Sequence, residues 1–360
     1  MLTIIHAADL HLDSPFSGLP PELAAARRGE QRLLLDDLAA LARREGADAV
    51  LLSGDVLDGG HVYRQTARAL ARALGETGCP VFIAPGNHDP YTRDCVYATQ
   101  QWPENVHIFS GTVDKVELPG KNCVVYGYGF TAPHTETSPL EGFLVNEGRD
   151  TVKLMCLHAD LTPGSPYCPI TESQIAASGL TYLALGHIHQ CSGLCRAGNT
   201  YYAYPGCPEG RGFDETGEKG VLVLRIAPGQ VEGQFVPLGR RRYEALTVDV
   251  TGRDPLAAIR AALPEDTLPH AYRVTLTGES AGVDMAALTA ALAPRFAALT
   301  VTDRTRLPQD LWARRGGDDL TGLFLDQMWR QLQADPGNET LQLAARFGLA
   351  ALEGGEDPVL

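Results

Sequence analysis

The sequence predicts an α/β protein with two β-sheets packed face to face and helices on their outer faces. Apolar strands alternate with helices through the first 90 residues, which is typical of a parallel sheet. Between residues 106 and 238 short strands follow one another closely, with few helices between them. Beyond Arg240 the alternation of strands and helices returns on a smaller scale, which predicts a second, smaller domain.

The first part of the chain is predicted to form three parallel strands joined by two helices. Leucines at 33, 34, 38 and 41 recur at helical spacing, and Gly46 ends that helix. The predicted elements are strand 2–6, helix 22–45, strand 47–52, helix 64–76 and strand 80–84. A cluster of polar residues follows each strand, at the edge where open α/β sheets bind their ligands.

The second part, from residue 106, predicts the second sheet. A loop at 131–149, rich in Thr, Pro, Glu and Gly, and a short helix near 171–178 interrupt it. The predicted strands are 106–109, 113–118, 122–128, 151–157, 181–185, 200–204, 220–226 and 231–238.

We predict three regions, and the run Arg240-Arg241-Arg242 marks the first boundary. They are a main domain at 1–240, an α/β domain at 241–317 and a helical tail at 318–360. The second region contains strands at 243–250, 271–277 and 299–303, with helices at 254–263 and 284–298. The tail contains two amphipathic helices, Leu320–Leu332 and Glu339–Leu352.

Composition and charge limit the classes of function. The 360 residues are 44% hydrophobic and carry a net charge of −14, without a basic tail or a basic domain. This argues against a protein that binds nucleic acid by electrostatics alone. It does not exclude an enzyme that holds phosphate through bound metal ions. The sequence also lacks a signal peptide and a long apolar stretch, which predicts a cytoplasmic protein that is not bound to a membrane.

Residues of metal-binding type end five of the predicted strands. Each motif alone is usually a turn or a helix cap, but their joint order predicts a metal site. Carboxylates, imidazoles and an amide without cysteine suit manganese, iron or zinc. The set exceeds the needs of one ion, whereas two ions sharing a carboxylate can clamp a phosphoryl group. The residues are Asp9 and His11, Asp55, Asn87 and His88, His158, and His187 and His189.

With these motifs in order, the chain resembles the calcineurin-like metallophosphoesterases, and within them the DNA-repair exonuclease branch of the bacterial SbcD and YhaO type. Protein phosphatases of that superfamily carry Arg and Glu where this chain has Gly59 and Asp89, which lowers the case for a phosphoprotein substrate. The resemblance implies a four-layer αββα metallophosphoesterase sandwich with a small α/β capping domain and C-terminal helices. Its motifs are Asp9-x-His11, Gly54-Asp55-x-x-Asp58, Gly86-Asn87-His88-Asp89, His158 and Gly186-His187-x-His189.

The resemblance also implies a role for each matched residue. Asp55 would bridge the two metal ions. His88 would contact the scissile phosphate and assist the leaving oxygen, and Asp89 would orient His88. The first ion would be bound by Asp9, His11, Asp55 and His189, and the second by Asp55, Asn87, His158 and His187.

The implied reaction is hydrolysis of DNA phosphodiester bonds in DNA repair, as an exonuclease and with endonuclease activity left open. The implied cofactors are two divalent ions, Mn²⁺ by expectation, with iron and zinc left open. The alternatives are a phosphodiesterase for a small nucleotide and an inactive scaffold with the same fold. The complete ligand set and His88 argue against the scaffold, which would not need them.

The resemblance implies DNA and an SMC-like ATPase of the SbcC type as partners, and a homodimer is left open. The apolar stripe of the tail could dock such an ATPase, or it could pack onto the protein's own smaller domain. The stripe consists of Leu320, Leu323, Phe324, Met328 and Leu332.

Overall fold

The computed structural model describes residues 1–59, 62–280, 282–306, 308 and 312–352. Residues 353–360, the end of the predicted tail, lie outside the described residues. The chain divides into two compact units, which are described separately. The first unit is Met1–Arg211 with Gly217–Arg240, and the second is Gly212–Thr216 with Arg241–Leu360.

The first sheet of the first unit contains β1 (Leu2–Ala7), β2 (Ala49–Leu52), β3 (Val81–Ile83), β4 (Val106–Ile108), β11 (Gly220–Ala227) and β12 (Gln230–Pro237). The order of these six strands is β12-β11-β1-β2-β3-β4. Strands β1 to β4 are parallel, and β11 joins β1 in antiparallel orientation. The helices of this part are α1 (Pro21–Glu45), α2 (Arg64–Gly75) and the short α3 (Val96–Thr99), which the sequence did not predict.

The second sheet also has six strands, and the short helix α4 interrupts it in sequence. Its elements are β5 (Asp114–Glu117), β6 (Cys123–Tyr128), β7 (Val152–His158), α4 (Glu172–Ala177), β8 (Tyr182–Gly186), β9 (Cys195–Ala197) and β10 (Thr200–Ala203). The strand order is β5-β6-β7-β8-β10-β9, and the central strands β6, β7, β8 and β10 are parallel. Strand β9 was not predicted, since its three residues carry no clear apolar pattern.

Three apolar cores explain the layered arrangement of the first unit. Helices α1 and α2 cover one face of the first sheet through Leu38 and Leu70. Between the sheets, Ile4 and Phe82 of the first meet Leu154 of the second. Such fully buried side chains each contribute roughly 1.5–3 kcal/mol by leaving water. The outer face of the second sheet is covered by its own cluster, which includes residues of α4.

The second unit contains a three-stranded parallel sheet and, in the part that the structure describes, four helices. Its elements are β13 (Tyr243–Asp249), α5 (Pro255–Ala262), β14 (Ala271–Thr277), α6 (Met285–Leu292), β15 (Ala298–Asp303), α7 (Leu320–Ala334) and α8 (Glu339–Leu352). Aspartates cap three of these helices by accepting a backbone N–H from the first turn, as Asp254 does for α5. The predicted helix 284–298 is too long: α6 ends at Leu292, and a single 3-10 turn containing Pro294 follows it.

The apolar stripe of the tail is partly used within the second unit. Met328 is buried and Phe324 is partly buried against Trp312 and α8. Arg346 of α8 pairs with Asp303 at 2.6 Å, which ties this helix to β15. Leu320 and Leu323 remain exposed, at 68% and 63% of their surface. None of the helices in the described parts of the chain has the length and apolar character needed to cross a membrane.

Candidate metal centre

The predicted ligands lie at the carboxyl ends of β1, β2, β3, β7 and β8, where the two sheets of the first unit meet. Four of these residues have left-handed backbone: Asp9 (φ 54°), His11 (φ 43°), Asp55 (φ 49°) and His187 (φ 107°). Such conformations cost energy and concentrate at functional sites. Backbone hydrogen bonds hold the loops after β1 and β2 together, since Asp9 N–H donates to Gly54 at 3.0 Å and His11 N–H donates to Asp55 at 2.9 Å.

Three glycines let the loops approach each other closely. A Cβ on Gly54 would lie 2.4 Å from His158 Nδ1, and one on Gly86 would lie 2.2 Å from Asp55 Oδ1. A Cβ on Gly186 would lie 1.7 Å from the carbonyl oxygen of Ser53. No side chain fits at these distances, so the glycines of the motifs create the space in which the ligands converge.

One group of candidate ligand atoms forms around His11. Its Nδ1–H donates to Asp58 Oδ1 at 2.6 Å, which leaves a lone pair on Nε2 of the neutral ring. That Nε2 lies 3.1 Å from His189 Nε2 and 3.7 Å from Asp55 Oδ2. Asp9 Oδ1 lies 4.0 Å from the same His189 nitrogen. The group therefore presents nitrogen and carboxylate donors to one point, which suits a divalent cation.

A second group forms around His158. Its Nδ1–H donates to the carbonyl of Ser53 at 3.0 Å, so the lone pair of the neutral ring is again on Nε2. This nitrogen lies 2.9 Å from Asn87 Oδ1 and 3.5 Å from Asp55 Oδ2. The unprotonated Nε2 of His158 thus faces the oxygen acceptors of Asn87 and Asp55 with no proton between them. Asp55 Oδ2 is common to both groups, which fits a carboxylate that bridges two cations.

His187 is the remaining predicted ligand. The backbone N–H of His187 donates to both oxygens of Asp9, at 3.1 and 3.2 Å. The His187 ring lies beside that of His158, with a centroid distance of 5.2 Å, and its Nε2 lies 3.5 Å from Asp160 Oδ2. The Nε2 of His187 is thus engaged with Asp160.

Burial controls the charge of these residues. It lowers the pKa of His11, His158 and His187 to about 4, so these rings are neutral near pH 7 and can act as ligands. Burial, and then the neighbouring charge of Asp55, raise the pKa of Asp9 well above its usual range. Neutral imidazoles can bind a cation, and a bound cation would relieve the repulsion between the crowded carboxylates. The residues therefore fit a metal centre.

His88 lies at the rim of the centre, with 46% of its side chain exposed. Its ring contacts that of His11, with a centroid distance of 4.8 Å, and its Nδ1 lies 3.4 Å from Asp58 Oδ1. The hydrogen bond to Asp58 raises the pKa of His88, which favours the protonated ring. The backbone N–H of His88 donates to Asp55 Oδ1 at 2.9 Å, which fixes the position of the residue.

The prediction that Asp89 orients His88 is wrong, because both oxygens of Asp89 are engaged elsewhere. Asp89 accepts hydrogen bonds from the N–H of Gly86 at 2.7 Å, the N–H of Leu57 at 3.0 Å and the Tyr97 hydroxyl at 2.5 Å. It therefore joins the loop after β2 to the turn after β3. The carboxylate that faces His88 is Asp58.

Sequence reasoning missed the roles of Asp58 and Arg211. Burial raises the pKa of Asp58, but hydrogen bonds from His11 and His88 outweigh this effect and bring the pKa below its usual range. Arg211 donates to Asp58 Oδ1 at 3.3 Å and to His189 Nδ1 at 3.2 Å. Asp58 was visible within the Gly54-Asp55-x-x-Asp58 motif, whereas no local pattern distinguishes Arg211 from other arginines.

Comparisons with known proteins show the family of the chain. Residues 2–191 match the family model described as calcineurin-like phosphoesterase. The chain is 33% identical over 282 residues to the uncharacterized metallophosphoesterase YhaO of Bacillus subtilis, covering 74% of this chain and 67% of that protein.

Two further relatives are named as nuclease or DNA-repair proteins. SbcD, one component of the nuclease SbcCD from Rhodobacter capsulatus, is 25% identical over 326 residues, covering 76% of this chain and 78% of that protein. The DNA double-strand break repair protein Mre11 of Aeropyrum pernix is 25% identical over 277 residues, covering 69% of this chain and 64% of that protein. The matched family model spans more than half of the chain, and its residues contain the strand ends that converge here. This chain is a member of the calcineurin-like phosphoesterase family.

Proposed function

We propose that this protein is a dinuclear metal-dependent phosphodiesterase that hydrolyses DNA phosphodiester bonds in DNA repair, as an exonuclease and also as an endonuclease where the substrate allows. The observation that supports it most is the pair of candidate ligand groups around His11 and His158, which share Asp55 Oδ2 beside the exposed ring of His88. Such a pair of sites suits the charge of a phosphodiester in its transition state.

Two ions would be held by the residues at the five strand ends, with Asp55 between them. Mn²⁺ is the expected metal, and Fe or Zn would suit the same donors. When bound, the ions supply a water activated for attack and neutralise charge on the phosphate oxygens. Asp9, His11, Asp55 and His189 would hold one ion, and Asp55, Asn87, His158 and His187 would hold the other.

His88 then acts on the substrate from the rim of the centre. The hydrogen bond from Nδ1 to Asp58 raises the pKa of the ring, which favours its protonated form. A protonated imidazole can donate a hydrogen bond to a phosphate oxygen and protonate the leaving oxygen. Its exposure lets a long substrate reach it, in contrast to the buried rings of His11 and His158.

Arg211 adds a positive charge to the same rim. Its guanidinium contacts Asp58 and His189, so it is fixed next to the position proposed for the phosphate. In this role it favours the negatively charged substrate and helps Asp58 stay ionised. Asp89 acts through the backbone, by holding Gly86 and Leu57 in place.

DNA is favoured over a small nucleotide because relatives are named as a component of the nuclease SbcCD and as the DNA repair protein Mre11. By the same argument we propose an SMC-like ATPase of the SbcC type as the partner, a cytoplasmic location, and a homodimer as the assembly to be tested. The exposed leucines 320 and 323 of α7 are available to such a partner. A role of the second unit as a capping domain for DNA stays part of this proposal.

The test compares substrates on the purified protein loaded with Mn²⁺. We expect degradation of linear DNA, slower hydrolysis of bis(p-nitrophenyl) phosphate, and two metal ions per chain by mass spectrometry of the metals. Hydrolysis of a cyclic nucleotide without cleavage of DNA would favour the small-nucleotide phosphodiesterase. Failure to hydrolyse any diester with two ions bound would favour the inactive scaffold.

A pair of histidine variants separates the roles within the centre. His88→Gln should lower turnover by about a hundredfold or more, since general acid catalysis contributes roughly that factor, and should leave both ions bound. His107→Gln is the matched control, because His107 is half-buried in β4, outside the centre. Loss of both ions in His88→Gln would contradict the assignment of His88 to the substrate.

A further inference from the structure

A pocket of about 460 Å³ lies beside His88 and is not used by the mechanism described above. The turn Asn87–Asp89 contributes to its lining, as do residues between Pro90 and Tyr97. All of its lining residues belong to the first unit. Its volume is in the range of pockets that bind small organic groups. A group placed in it would be next to the ring proposed to contact the scissile phosphate.

Away from His88, the chemistry of the pocket disfavours a phosphate as its occupant. Much of its wall is apolar and comes from Leu57, Val62, Val96 and two prolines. No Lys or Arg is found among the described residues that line it, and the exposed carboxylate of Asp94 lies at its surface. Away from the His88 ring, a phosphate would meet the Asp94 carboxylate without a compensating Lys or Arg. The pocket suits an uncharged group with an apolar face and polar edges.

The wall of the pocket is held in place by hydrogen bonds and by ring stacking. Tyr97 is only 4% exposed, and its hydroxyl donates to Asp89. Trp102 donates its indole N–H to the Tyr97 carbonyl at 3.0 Å and stacks on the Tyr97 ring with a centroid distance of 6.0 Å. A preformed wall lowers the cost of ordering when a ligand binds.

From these observations we infer that the pocket is the subsite for one unstacked nucleoside attached to the scissile phosphate. This inference rests on the proposed function and specifies its substrate. A base within a duplex is paired and stacked, so it enters such a pocket only after being extruded. A single strand or a frayed end offers the base without that cost. The protein is therefore a nuclease that prefers single-stranded DNA or frayed ends over blunt, stable duplex ends.

The first test fills the pocket. Val96→Trp should raise the KM for a single-stranded oligonucleotide about tenfold or more, because one buried base contributes roughly such a factor to binding. The number of bound metal ions should not change. Leu144→Trp is the matched control, since Leu144 is 65% exposed and lies outside the pocket. The unmodified protein should also cleave a single strand faster than a blunt duplex of the same sequence.

The second test measures binding without turnover. Cys95 is half-buried and lines the pocket, whereas Cys195 is half-buried in β9 and serves as an internal reference. A thymidine dinucleotide should slow the alkylation of Cys95, followed by mass spectrometry, and should leave that of Cys195 unchanged. Inorganic phosphate should protect neither cysteine.

The outcomes separate this inference from the proposed function. An unchanged KM in a folded Val96→Trp protein, or alkylation of Cys95 that the dinucleotide does not slow, would overturn the nucleoside subsite. Protection of Cys95 by phosphate alone would overturn it as well. A protein that binds two ions but cleaves no DNA would refute the proposed function, while the alkylation of Cys95 would still decide whether a nucleoside binds.

Discussion

Gly86→Ala should damage the metal centre although it changes no ligand. A Cβ at this position would lie 2.2 Å from Asp55 Oδ1, 2.7 Å from the Asp55 backbone nitrogen and 3.0 Å from its Cγ. Ordinary van der Waals contact begins at about 3.4 Å, so the carboxylate must move by more than about 1 Å. Because the backbone nitrogen is also too close, rotation of the Asp55 side chain alone does not relieve the clash.

The size of the expected loss follows from the interactions that Asp55 makes. Its Oδ1 accepts the N–H of His88, and a hydrogen bond to a charged group contributes roughly 1.5–3 kcal/mol. Its Oδ2 is shared between the groups around His11 and His158, so its displacement disturbs both. Loss of support for metal ligands typically lowers affinity by about 10–100-fold, and we expect a decrease of that size for Mn²⁺.

Calorimetric titration of the metal-free protein with Mn²⁺ measures this effect, and urea denaturation measures the accompanying loss of stability. Gly18→Ala is the matched control, because nothing lies within 4 Å of the Cβ that it adds. If Gly86→Ala binds two ions with the affinity of the unchanged protein, the close approach of the two loops is not what positions Asp55.

Three further predictions concern single side chains. His6 is fully buried with its pKa lowered to about 3, so its contribution to stability should fall by about 1.4 kcal/mol per pH unit as pH decreases from about 6.5 toward 3. His6→Gln should therefore reduce the slope of urea-derived stability against pH by one proton, and an unchanged slope would contradict this. Asp58→Asn removes the hydrogen bond that raises the pKa of His88, so the alkaline limb of the pH–activity profile should move to lower pH. A profile that does not shift would exclude the pairing of Asp58 with His88. Tyr97→Phe removes one hydrogen-bond donor from the buried Asp89, so the free energy of unfolding measured with urea should fall by about 1–3 kcal/mol. An unchanged free energy of unfolding would mean that water replaces the hydroxyl.

The places of the candidate ligands at the strand ends could be predicted because each depends on a local pattern. An apolar run followed by Asp, Asn or His gives both the strand and the edge at which it ends, as at Asp9 and His158. The fold class was confirmed for the same reason, since the strand–helix alternation is visible along the chain. The boundary of α6 was missed because alanines continue past the proline that ends it.

The partner of His88 could not be predicted in this way. Asp89 follows His88 in sequence, but adjacent residues in a turn point in different directions, and its oxygens face Leu57 and Tyr97. Asp58 reaches His88 from another loop, which only the packing of β2 beside β3 brings close. Arg211 arrives from a still more distant part of the sequence, so its place depends on tertiary structure alone.

The strained backbone and the uncompensated lone pairs have a common origin. Ligands from five strands converge only if the loops approach to within backbone contact, which requires Gly54, Gly86 and Gly186 and bends Asp9 and Asp55 into the left-handed region. Around His158 that approach brings acceptors together with no proton between them, an arrangement that costs stability unless a cation satisfies it. The glycines of the motifs are therefore as necessary to the metal centre as the ligands, and the family motif conveys both: Gly before Asp, Asn or His specifies the space, and the polar residue specifies the donor.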